Sequence, residues 1–287
     1  RAFYLRRILR IWPLYITFIL VAMPYEVLSK GIPIRYYVFM LTFIGNWHAV
    51  LFGNLPTLCG NLWSICLEEQ FYIVWPNLLG RVQTKRFASI LIAMFLFSCL
   101  YRILYVYTSP PYPYAVWYNS FTRLDSFALG GLLACALHGR QTVWPRPARV
   151  LTFFAAVTIF WGLGNLPIGG YFGEYPAWTY PLAALGSVLL IVAFVTSPTR
   201  SSMSLPLRVL SYLGKISYGL YVFHGPVLRL WEHLFGFEWP TREWAWVFRV
   251  SVPAVIVLTT SMISYSVIEK PFLRLKRRFT FVRSRPE

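Results

Sequence analysis

WTYPLAALGSVLLIVAFVT, residues 178–196, runs nineteen residues without a charged side chain. A helix rises about 1.5 Å per residue, so this stretch is long enough to cross a hydrocarbon layer of roughly 30 Å. Similar runs lie near 11–28, 62–79, 88–107, 122–138, 149–165, 213–231 and 247–268. Several contain proline or glycine, which spanning helices tolerate where neighbours satisfy the freed backbone groups. The composition agrees: 57% of residues are hydrophobic and 13% charged, against about 25% charged in soluble domains. Mean hydropathy is +0.54. So few charges cannot cover a water-soluble surface, and the apolar excess must face lipid. Aromatic residues make up 19%, which suits belts at two membrane interfaces. The fold class is therefore all-α, a polytopic transmembrane helix bundle read as one domain over 1–287.

The net charge of +17 does not indicate nucleic-acid binding, because the cations lie between apolar runs rather than over a soluble face. Arg274, Lys276, Arg277, Arg278, Arg283 and Arg285 follow the last run; Arg200 and Arg208, Arg140, Arg146 and Arg149, and Arg81, Lys85 and Arg86 occupy alternate loops. The positive-inside rule puts these on the cytoplasmic side, with Arg1, Arg6, Arg7 and Arg10. The loops between hold only Arg242. Both ends are then cytoplasmic, with about eight crossings, and the further apolar stretch 34–52 is expected to be re-entrant or interfacial. The alternative is that 34–52 spans and another segment does not. No signal peptide precedes the first run, and the chain begins at Arg1 as if opened at its N-terminus. Cys59, Cys66, Cys99 and Cys135 show no metal-binding spacing and read as free thiols.

Charged and polar groups inside spans are expensive and mark candidate sites. Glu68 and Glu69 sit within LWSICLEEQFYIVWP, 62–76. Adjacent helix positions differ by about 100°, so one can face a polar cavity while the other pairs with a cation. A desolvated carboxylate can act as general acid or base, or both groups can be structural. In FTRLDSFALGG, 121–131, Arg123 and Asp125 can pair with each other or with other helices, and Gly130 and Gly131 permit close helix approach. His224 lies in GKISYGLYVFHGP, 214–226, on a face shared with Tyr221. Glu269, before Pro271 and the basic tail, reads as an anchor. Arg7 and Arg10, one turn apart in FYLRRILRIWPLY (3–15), can grip a phosphate bidentately or simply flank the membrane. His48, His138 and His233 fall at expected span ends and read as packing groups.

Five of these stretches, in order, resemble the acyltransferase 3 family of membrane O-acyltransferases: FYLRRILRIWPLY, LWSICLEEQFYIVWP, FTRLDSFALGGLLA, LGKISYGLYVFHGPV and YSVIEKP. The second is the most specific; Cys66 and Leu67 stand where the family has Ser-Val. The resemblance implies an acyl-CoA donor on the cytoplasmic side, as co-substrate and without a further cofactor, held by Arg7 and Arg10. It implies an acceptor hydroxyl on a carbohydrate or lipid-linked glycan such as O-antigen, exopolysaccharide or peptidoglycan, in the bacterial inner membrane. Glu68, Glu69 and His224 become the candidates for the chemistry. Tyr15, Trp63, Arg123, Asp125, Ser217, Tyr218 and Glu269, at motif positions, are expected to line or brace the cavity. The family also carries two helices ahead of the arginine pair, the first bearing a histidine that would take the hydroxyl proton. With eight crossings here, that makes ten.

Direct attack and a covalent acyl relay both stand; no G-x-S-x-G elbow occurs and no metal is implied. The rival class is a transporter or exporter of a glycan or other polar solute, which should show inverted repeats. None is visible. A catalytically silent sensor is the third reading.

Overall fold

The computed structural model describes residues 2–79, 84–108, 114–139, 143–166, 175–197, 205–236 and 243–276. They form α1 (Ala2–Lys30), α2 (Ile34–Leu41), α3 (Gly45–Phe52), α4 (Trp63–Leu79), α5 (Thr84–Tyr107), α6 (Ala115–Tyr118), α7 (Leu124–Leu137), α8 (Arg146–Gly164), α9 (Pro176–Val195), α10 (Leu205–Phe235), α11 (Glu243–Ser264) and α12 (Lys270–Lys276). A π-helical turn, Tyr265–Glu269, joins the last two. Among the described residues there is no strand. This is an all-α membrane helix bundle.

Five described helices are long and apolar enough to cross a membrane: Ala2–Lys30, Arg86–Tyr107, Arg146–Gly164, Pro176–Val195 and Val247–Leu275. The runs at 62–79, 122–138 and 213–231 are helical too, as α4, α7 and part of α10, but stand outside that set. α4 has 17 residues and carries Glu68 and Glu69, and α7 has 14. At about 1.5 Å per residue α7 reaches only about 21 Å. Stretch 34–52 is not one helix. It is two eight-residue helices, each about 12 Å long, interrupted at Phe43, whose φ of 57° lies in the left-handed region that non-glycine residues avoid. The loop cations Arg81, Arg140, Arg200 and Arg242, and the tail from Arg277, lie outside the described residues.

The chain gathers into two compact units. The first comprises Arg1–Thr42, Leu55–Trp63 and Ser202–Glu287; the second comprises Phe43–Asn54 and Ser64–Ser201. In the first, α1 packs against α2, α10, the π-turn and α12, while α10 lies along α11. Leu14, Tyr15 and Ile19 give α1 its buried stripe. The Tyr15 hydroxyl donates to the Met40 carbonyl at 2.8 Å and pins α2. Gly31, at φ 64°, ends α1 in the conformation that glycine adopts most cheaply. Glu26 is fully buried near that end. One oxygen accepts from Tyr37 Oη (2.8 Å) and the other from the Leu58 backbone N–H (2.7 Å), tying loop 55–59 to α1. Burial first, and the Glu26 carboxylate second, push the Tyr37 phenol above its ordinary range, so it remains a donor.

α10 and α11 meet where Gly219 faces backbone. A Cβ there would lie 3.2 Å from Ser261 Cα and 3.4 Å from its carbonyl oxygen. Small residues permit such close helix contacts in membranes. Because backbone cannot rotate aside, Gly219→Val should cost about 1–3 kcal/mol through forced separation of the helices. The check is thermal unfolding in detergent, with Gly214→Val, which meets nothing within 4 Å, as the control.

In the second unit α5 packs on α7 and α9, and α8 on α9. Phe87, Leu91 and Ala128 form a core joined by Trp75, Phe95 and Leu132. Of the two glycines expected to admit close approach, Gly131 does: its Cβ would meet Leu91 Cδ2 at 2.9 Å, whereas Gly130 faces open space.

Candidate active site

Three motif elements converge at the N-terminal part of α1. Arg7 and Arg10 stand one turn apart, Arg7 half-buried and Arg10 exposed. One residue on, the Ile11 carbonyl accepts a 2.8 Å hydrogen bond from the buried Tyr218 hydroxyl of α10. The π-turn, which packs on α1, buries Glu269 to 3% exposure near Arg10. Glu269 Oε1 has no hydrogen-bond partner among the described residues. π-helical turns widen a helix locally and concentrate at functional sites. Glu269 and Arg10 therefore lie at the same end of α1. Tyr15, one turn further along, is committed to Met40.

His224 occupies a second cluster of the same unit. Its Nδ1 is 2.6 Å from the Tyr221 carbonyl, and the two rings lie 5.3 Å apart. If Nδ1 carries the proton and donates there, Nε2 is left as the free acceptor, the form a general base needs. Pro226 inside α10 lacks an N–H, which orphans the Val222 carbonyl. Asn61 Nδ2 answers it at 3.3 Å and bonds the Tyr221 carbonyl at 2.7 Å. The Tyr221 hydroxyl donates to the Asn61 carbonyl in return. Gly225 leaves room for this, since a Cβ would strike Asn61 Cγ at 2.9 Å. Ser217 is exposed and donates back to Gly214 O at 3.0 Å. Trp63 begins α4 and is half-buried.

In the second unit Glu68 is exposed and Glu69 is buried to 6%, the opposed orientations that adjacent helix positions impose. Gln70 follows and is spent on structure. Its Nε2 donates to the Phe43 carbonyl and to Asn46 Oδ1, each at 2.8 Å, and its Oε1 accepts from Ser120 Oγ at 2.7 Å. Asn46 Nδ2 donates to Tyr118 O and Ser120 Oγ at 2.9 Å. This network holds the strained Phe43 turn and anchors α4 one residue after Glu69. Asp125 pairs with Arg102 of α5 at 2.6 Å, both fully buried. Its other oxygen accepts from the Ser126 N–H at 2.8 Å. Arg123 lies over the Tyr180 ring at 3.9 Å and the Trp117 ring at 4.5 Å, and donates from Nε to Trp117 O at 3.1 Å.

A model of the acyltransferase domain, Acyl_transf_3, matches residues 1–265. The chain belongs to the acyltransferase 3 family. It is 30% identical over 80% of its length to the protein named "Putative peptidoglycan O-acetyltransferase YrhL" of Bacillus subtilis, covering 38% of that protein. It is 24% identical over 94% of its length to peptidoglycan O-acetyltransferase OatA of Listeria monocytogenes, covering 46% of it. The chain thus spans less than half the length of these two relatives. No solved structure matches it.

For this acyltransferase-family chain, the structure brings Arg7, Arg10, Tyr15, Trp63, Ser217, Tyr218, His224 and Glu269 into one unit, and Glu68, Glu69, Arg123 and Asp125 into the other. Sequence reasoning missed Arg102, Gln70, Asn46 and Asn61. Arg102 carried the clearest signal, a lone cation inside the apolar run 88–107.

Proposed function

We propose that the chain is the membrane part of an O-acyltransferase that moves an acyl group, in the simplest case acetyl, from acyl-CoA to a hydroxyl of a cell-surface carbohydrate. The observation that carries this is the convergence of the RxxR, ISYxxY and IEKP elements on one end of α1, in a chain of the acyltransferase 3 family. Arg7 and Arg10 grip donor phosphate by charge-assisted hydrogen bonds. The acceptor hydroxyl attacks the thioester carbonyl; the C–S bond breaks, the O–acyl bond forms, and the hydroxyl proton passes through a base to the departing thiolate. A relay would run the same exchange twice through a protein nucleophile. Glu68 or Glu69 orients or activates the acceptor; Glu69 is the buried one of the two. His224, with Nε2 as acceptor, is the base candidate in this chain. Arg123 and Asp125 brace the second unit.

The proposed topology has about eight crossings in the plasma membrane and both ends cytoplasmic, which sets the arginine pair on the donor side. Because both relatives are named for peptidoglycan, a peptidoglycan sugar is the first acceptor to test. The test is transfer of labelled acetyl from acetyl-CoA to envelope polysaccharide in membranes of cells expressing the complete gene product. Wild type should transfer, and Arg10→Ala and Glu69→Ala should each fall by about 10–100-fold, the loss of one charge-assisted interaction. Absence of transfer together with absence of acetyl-CoA binding would sink the proposal and favour a transporter.

A further inference from the structure

The other end of α1 carries a feature that none of the family elements explains. A cavity of about 370 Å³ opens there, lined by Tyr25, Lys30, Leu58, Arg229, Leu230 and His233, with Pro226 and Val227 in its wall. That volume lies in the range of small-ligand sites. Lys30 and Arg229 bring two basic side chains and His233 an imidazole, and no carboxylate lines it among the described residues. Glu26, the nearest acidic residue in sequence to Lys30, is committed to Tyr37 and Leu58 N–H. Arg229 is held by fit as well: a Cβ on Gly60 would lie 3.0 Å from its terminal nitrogen, so glycine lets the guanidinium lie close against the loop backbone. Lys30 reaches over the Tyr25 ring at 5.7 Å. Leu58, Pro226, Val227 and Leu230 make the remaining wall apolar.

Cations beside an apolar wall, with no carboxylate in the lining among the described residues, fit one chemical class. We infer that this cavity binds a phosphate-bearing amphiphile, with Lys30 and Arg229 on the phosphate and the leucine and valine side on its chain. The phosphate has two sources, the diester headgroup of bulk lipid and a monoester on a lipid-borne ligand. Lys30 lies twenty residues beyond Arg10 on one helix, about 30 Å at 1.5 Å per residue, or one hydrocarbon thickness. The site's assignment to the acceptor side rests on the orientation proposed above; its binding does not.

Native mass spectrometry of the complete gene product in maltoside detergent tests this, with phosphatidic acid, phosphatidylglycerol and diacylglycerol of matched chains as probes. Phosphatidic acid differs from diacylglycerol only in its phosphate. Wild type should retain it about tenfold over diacylglycerol, the scale of one charge-assisted hydrogen bond. Arg229→Gln and Lys30→Gln should each bring the ratio close to one, whereas Arg229→Lys keeps most of it. Gly60→Val preserves every charge but displaces the guanidinium, and should also lower the ratio. Equal retention of phosphatidylglycerol assigns the site to bulk headgroups, and preference for phosphatidic acid assigns it to a monoester. No preference over diacylglycerol in wild type overturns the inference. So does a ratio unmoved by both Arg229→Gln and Gly60→Val in protein with wild-type thermal unfolding. Since no step of the readout uses acetyl-CoA, failure here and failure of acyl transfer are separate results.

Discussion

Asp125→Asn is expected to cost the fold about 3–5 kcal/mol, because it leaves Arg102 charged and uncompensated inside the bundle. The expectation rests on burial as much as on distance. Both partners are fully buried, the N–O separation is 2.6 Å, and Arg102 Nε has no other partner among the described residues. What remains around the guanidinium is weak: Ser98 Oγ at 3.5 Å, Pro176 O at 3.4 Å and the Tyr180 ring at 5.0 Å. The asparagine amide keeps the shape and can still accept from the Ser126 N–H, so the loss reports charge and not volume. Arg102→Ala should cost a similar amount by stranding the carboxylate. The double variant Arg102→Leu/Asp125→Leu removes both charges and should recover much of the loss, as buried ion pairs replaced by apolar groups often do. Thermal unfolding in detergent decides it. A loss below about 1 kcal/mol for Asp125→Asn would mean that the pair carries little charge-dependent stability.

Much of this bundle was legible because membranes price mistakes highly. Runs such as 178–196 have no other stable home, so the helices were readable from apolar length alone, and all eight runs are helical. The opposed exposures of Glu68 and Glu69 followed from helix geometry, and the shared face of Tyr221 and His224 from their spacing. Partnership was not legible. Asp125 has a charged neighbour two residues away, yet its ion pair is with Arg102, 23 residues earlier, and local spacing cannot reveal which helix packs alongside. Gln70, Asn46 and Ser120 are uncharged, so they raised no flag, although together they hold the Phe43 turn. That turn itself was hidden, since a glycine stands two positions on, at Gly45, and the left-handed residue is a phenylalanine. Asn61 could have been suspected: Pro226 announces an orphaned carbonyl at Val222, and some polar side chain had to meet it.

The arginine pair poses the remaining question, whether Arg10 serves the donor or merely balances Glu269. It lies near the buried Glu269, so loss of activity in Arg10→Ala alone would fit both roles. A double variant separates them. Should Arg10 be needed only to offset Glu269, then Arg10→Ala/Glu269→Gln removes the imbalance and restores acetyl transfer along with the fold. If Arg10 holds donor phosphate, the double variant regains thermal stability but stays about 10–100-fold down in transfer, since the lost interaction is with the ligand. The second result is expected, because Arg10 is exposed and one turn from Arg7, a geometry suited to a phosphate approaching from water. Arg10→Lys adds a graded arm. It keeps the charge without the planar fork, so its apparent affinity for acetyl-CoA should fall between wild type and Arg10→Ala while its unfolding temperature stays near wild type. Restoration of transfer by Glu269→Gln would instead make the arginine a structural counter-ion and move the donor site away from this end of α1.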